Sequence, residues 1–74
     1  MLSEAETGAA IRRLADDLAA RGTQEAFAEL LSAVGYLGER VGDSARALAA
    51  NNSWSHVAQV SGTSKQAAWE RWRS

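Results

Sequence analysis

A chain of 74 residues has room for one domain, and a core that small is marginal unless copies associate. Sixteen alanines, no proline and a single phenylalanine and tyrosine favour helix over sheet, and the absence of cysteine excludes disulfides and thiolate metal sites. The net charge of −1 is unevenly spread: residues 1–53 carry five arginines against eight acids, whereas residues 54–74 carry Lys65, Arg71 and Arg73 against Glu70.

The first element is expected over residues 3–21. Ser3 and Glu6 have the spacing of a capping box. Ile11, Leu14 and Leu18 fall on one stripe, with Arg12, Arg13, Asp16 and Asp17 largely off it. Gly22 suits a helix end and Thr23 a helix start.

The second element has the strongest periodicity. Phe27, Leu30, Val34, Leu37, Val41, Ser44 and Leu48 alternate spacings of three and four, a coiled-coil-like seam in which Ala45 can stand in for Ser44. A long helix over about residues 24–50 is expected, antiparallel to the first across a two-residue turn. Gly35, Gly38 and Gly42 interrupt it, each at a cost of about 1 kcal/mol relative to alanine. They allow either close approach by another helix or a break at Gly42 with Asp43 capping a new one; the continuous helix, kinked if need be at Gly42, is the preferred expectation. Asn51 is expected to end it in the left-handed conformation.

The last third, Ser53 to Arg73, reads as two short helices joined at Gly62. Ser53 caps the first, and Val57 and Ala58 face inward. Gly62 supplies a left-handed turn, Ser64 caps the second helix, and Ala68 and Trp72 face inward at i, i+4. Trp54 and Trp72 are expected as core residues. The fold class expected is therefore all-α: an N-terminal antiparallel helical hairpin with a long second helix, then a C-terminal helix-turn-helix. Residues 1–74 form one domain in this reading, with 1–51 as a dimerisation hairpin and 52–74 as the motif.

In a helix-turn-helix the second helix enters the major groove by its N-terminal residues. Ser64, Lys65 and Gln66 hold those positions, with Trp69 and Arg73 one and two turns on. Lysine can bond guanine O6/N7 and glutamine can grip adenine N6/N7. Trp69 could meet a thymine methyl or sugar, pack on the long helix, or join a protein interface. Ser53, Ser55 and Thr63 are placed to bond phosphates. The stretch Ser53-Trp54, Val57, Gly62, Ser64-Lys65-Gln66-Ala67-Ala68 and Arg71-Trp72 resembles the helix-turn-helix of small regulators from high-GC Gram-positive bacteria, and is more distantly similar to lambda-repressor-type motifs through Ala58 and Gly62. The resemblance covers about 21 residues and departs at Ser61, where those regulators usually have leucine before the turn glycine. It implies a sequence-specific DNA-binding transcriptional regulator.

Specificity from so short a motif usually takes two half-sites about 34–36 Å apart, so a homodimer is expected, held by Leu30, Val34, Leu37 and Val41 of the seam. The partners expected are double-stranded DNA and a second copy. The rival reading is an adaptor that binds another protein, such as a sigma factor, a polymerase subunit or another regulator, through its N-terminal helices. No cofactor, metal, catalytic residue, membrane partner or small-molecule effector is expected. His56 has no second histidine or cysteine for a metal, and the acids Asp16, Asp17, Glu25, Glu29 and Glu39 read as solvated charge. With no leader-like segment and no apolar run near the roughly 20 residues of a membrane span, a cytoplasmic protein, nucleoid-associated when on DNA, is expected.

Overall fold

Helix α1 spans Glu4–Arg21 in the computed structural model, which describes all of residues 1–74. It begins where local chemistry dictates. The Ser3 N–H donates to Glu6 Oε1 at 2.9 Å and the Glu6 N–H donates to Ser3 Oγ at 3.1 Å, so both halves of the capping box are closed. The bond from the Ser3 backbone, seconded by the Ser3 side chain, holds the Glu6 carboxyl below the usual carboxylate range. The helix ends at Gly22, which takes φ 63°.

Helix α2 runs Gln24–Asn51, its start capped by Thr23, whose Oγ1 accepts from the Ala26 N–H at 3.0 Å. It passes through Gly35, Gly38 and Gly42 without a break. Its end differs from expectation in one respect. No residue other than glycine has positive φ, so Asn51 does not close α2 by a left-handed cap. The Asn52 N–H instead donates to the Leu48 carbonyl at 2.9 Å, carrying the helical bonding one residue further. Helices α3, Trp54–Ser61, and α4, Lys65–Trp72, complete an all-helical chain. None of the four is long and apolar enough to cross a membrane.

The chain divides into two compact units, Met1–Gly35 and Tyr36–Ser74, and the division falls inside α2. In the first unit α1 has no buried residue, and on α2 only Ala26 is buried. Leu18 and Leu30 are half-buried and, with Phe27, line a groove of about 480 Å³ beside the Gly22–Thr23 turn. Ile11, Leu14, Phe27, Leu31 and Val34 stay exposed. A unit this short with an alanine as its whole core has little to oppose chain entropy.

The second unit has a core. Ala45 from α2, Val57 and Ala58 from α3 and Ala68 from α4 are buried together, with Leu48, Ala49, Trp54 and Trp72 half-buried against them. Small residues at the centre let α3 and α4 approach closely, Ala45 of α2 completes the cluster, and the two tryptophans pack against it. Trp54 and Trp72 thus pack as expected. Val41 and Leu37, on the same stretch of seam, are exposed.

Candidate functional site

The site is assembled by three caps in succession. Ser53 Oγ accepts from the His56 N–H at 3.4 Å and fixes the start of α3. Gly62, at φ 73°, ends it, and the N–H groups of Gly62 and Thr63 both donate to the Ala58 carbonyl, at 2.9 and 3.1 Å. Ser64 Oγ then accepts from the Ala67 N–H at 3.1 Å and starts α4. Only Gly62, Thr63 and Ser64 separate the two helices.

Ser61, the departure from the regulator pattern, contributes to the turn in polar terms. Its hydroxyl donates to the Ala58 carbonyl at 3.3 Å and lies 3.0 Å from Thr63 Oγ1. A leucine at this position would add apolar packing; the serine instead adds one hydrogen bond to the Ala58 carbonyl and a contact with the Thr63 hydroxyl.

The register of α4 is set by Ala68, 1% exposed, and Trp72, half-buried one turn on. Everything a third of a turn away therefore faces out. Lys65, Gln66, Glu70 and Arg73 are exposed, and Trp69 is 40% exposed. The outward side chains are paired in two columns. Gln66 Nε2 donates to Glu70 Oε1 at 3.0 Å, and the Arg73 guanidinium lies 4.7 Å over the Trp69 ring. Arg71 stacks on Trp72 at 5.1 Å. Lys65 has no ion-pair partner. Trp69 serves as the platform for Arg73, a role compatible with each of the alternatives named for it.

The hydroxyl positions differ among themselves. Ser53 Oγ is engaged with the His56 N–H and lies 3.0 Å from His56 Nδ1. Thr63 Oγ1 is engaged with Ser61 and with the Ser64 carbonyl at 3.4 Å. Ser55 is exposed and its hydroxyl bonds nothing in the chain. Ser55 is thus the free hydroxyl of the three, Ser53 keeps a backbone N–H that donates to nothing in the chain, and the Thr63 N–H is spent on the Ala58 carbonyl. The Ser53–His56 contact brings a hydroxyl to an imidazole, but it is exposed, has no third group to orient the ring, and its oxygen already caps α3. No three His, Cys, Asp or Glu side chains come together in a way that could hold a metal ion.

One residue that the sequence reading passed over holds the site in place. Arg46 of α2 donates through Nη1 to the carbonyls of Trp72, at 2.9 Å, and Ser74, at 2.8 Å. Its Nη2 donates to Asp43 at 2.8 Å, and the other oxygen of Asp43 pairs with Arg40 at 2.9 Å. A cation thus sits on the carbonyl end of α4, where the helix dipole favours it. The only hint in the sequence is that Arg46 follows the core residue Ala45 and shares a face with Gly42.

The seam residues expected at a dimer interface fall in both units. Leu30 is half-buried and Val34 exposed in the first, and Leu37 and Val41 are exposed in the second. Comparison with protein-family models, with curated proteins and with solved structures finds no match to this chain.

Proposed function

We propose that the protein is a sequence-specific DNA-binding regulator that works as a homodimer, with α3 and α4 as its helix-turn-helix and residues 1–51 as the hairpin that joins two copies. The observation that carries this reading is the sidedness of α4. The core takes Ala68 and half of Trp72, and leaves Ser64, Lys65, Gln66, Trp69 and Arg73 exposed around a helix whose start is capped and whose far end is clamped. Those are side chains that read base edges and phosphates, placed at the start and along the outer face of the second helix. Ser53, Ser55 and Thr63 would meet the backbone. The positive balance of residues 54–74 adds a local attraction that the whole chain lacks.

The deciding experiment is selection of bound sequences from random duplex DNA, with the mass of the protein in solution measured on the same sample. A palindromic enriched site and a dimer are expected. A second reading, an adaptor that binds another protein, is favoured by the exposure of Phe27, Leu31, Val34, Leu37 and Val41. Absence of salt-dependent duplex binding, together with a stable complex with another protein, would put the adaptor first.

A further inference from the structure

Glu70 is the one acid in residues 54–74, and it sits on the outer face of α4 among cations. On a face that meets phosphates an acid is unfavourable, so its presence there asks for a reason. It forms no ion pair: the paired acids are Asp17, Glu39 and Asp43. Arg73, one turn on, is stacked on Trp69. The partner of Glu70 is an amide, Gln66 Nε2, at 3.0 Å.

An amide has two ends of nearly equal shape, one donating and one accepting. A bond from Nε2 to a carboxylate removes that ambiguity, because a carboxylate can only accept. Gln66 then shows the groove a free carbonyl and one remaining N–H. That is the pair adenine requires, since its N6 donates and its N7 accepts. Guanine presents two acceptors, O6 and N7, which the fixed carbonyl of Gln66 and the charge of Glu70 both oppose.

We infer that Glu70 is a positioning residue for base recognition: it locks the Gln66 amide in the orientation that accepts adenine and refuses guanine, at the expense of general affinity for DNA. This deepens the DNA-binding reading above and rests on it.

The test combines site selection with binding to random duplex at fixed salt, for the intact protein and three variants. Gln66→Ala identifies the base position that Gln66 reads. Glu70→Ala is expected to weaken the adenine preference at that position about tenfold, while binding to random duplex rises severalfold because a negative charge has gone. Glu70→Gln, an amide that can either accept from Gln66 or donate to it, no longer fixes which way round Gln66 sits, and is expected to lose part of the preference while sharing the rise. A merely structural role would lower specific and random binding together with helicity, so opposite signs in the two assays separate it from positioning. The inference is overturned by a Glu70→Ala protein that keeps its preference, or by a Glu70→Gln protein that keeps it in full. Both of those results leave the DNA-binding reading standing. An unmutated protein that binds no duplex removes that reading, and this inference with it.

Discussion

A glycine matters at Gly62 for its backbone angle and not for space. A Cβ built there would meet nothing within 4 Å, yet φ is +73°. Gly62→Ala should therefore cost about 1 kcal/mol and Gly62→Val more, because left-handed backbone penalises a Cβ and penalises a branched one further. A thermal melt measures this, and an unchanged midpoint for the valine variant would mean the turn is made otherwise. Glu6 makes a prediction of a different kind. Its folded-state pKa lies below its unfolded one, so its contribution to α1 is present above the unfolded value and is lost as pH falls through the folded one. Helicity should accordingly decline on acidification below the ordinary glutamate range. Glu6→Gln, which can still accept the Ser3 N–H, should remove that part of the pH dependence. An acid titration by circular dichroism that is identical for the two proteins would show that the capping box does not titrate with folding.

Among the elements, the helix boundaries were legible because their causes are local. Ser3 with Glu6, Gly22 with Thr23, Ser53, Gly62 and Ser64 each act within four residues of themselves, and each appears at the boundary expected. The outward face of α4 followed from one periodic argument, Ala68 and Trp72 inward. What could not be read is what depends on distance or on rotamers. The bonds from Arg46 to Trp72 and Ser74 span 26 and 28 residues, and no periodicity announces them. The pairing of Gln66 with Glu70 and of Arg73 with Trp69 is likewise a choice among side-chain conformers that spacing allows but does not select. The Asn51 expectation failed because asparagine tolerates a left-handed cap without requiring one. Arg46 also yields a prediction. It is about one-third exposed, so solvent screening should hold the cost of Arg46→Ala to about 1 kcal/mol, below the roughly 1.5–3 kcal/mol of a hydrogen bond to a charged group. Arg46→Lys, which cannot span two carbonyls and a carboxylate in one planar fork, should recover only part of that. Tryptophan fluorescence during a melt follows it directly, since the clamp grips the Trp72 carbonyl. Full recovery by lysine would reduce the clamp to simple charge at a helix end.

At the scale of the molecule, large apolar side chains of α1 and α2 stand uncovered. Ile11, Leu14, Phe27, Leu31 and Val34 are each between 45% and 71% exposed. Together they offer on the order of 500 Å² of apolar surface per chain, a large part of the roughly 800 Å² each partner gives to a standard interface. Leu37 and Val41 extend the exposed set. A second copy is the occupant that the proposed function requires, and it can be tested without DNA. Leu37→Glu or Leu31→Glu should shift sedimentation at tens of micromolar from dimer to monomer and lower the melting temperature, since a buried carboxylate without a partner is strongly unfavourable. Gly35 and Gly38 sharpen the test. A Cβ at either meets nothing within the chain, so in a monomer Gly35→Ala and Gly38→Ala should each stabilise α2 by up to about 1 kcal/mol. If the glycines instead admit the backbone of a partner helix, the same alanines should weaken self-association and lower the melting temperature in a concentration-dependent way. A protein that is monomeric before any substitution, and is simply stabilised by both alanines, would rule out the homodimer and leave the exposed seam to another protein.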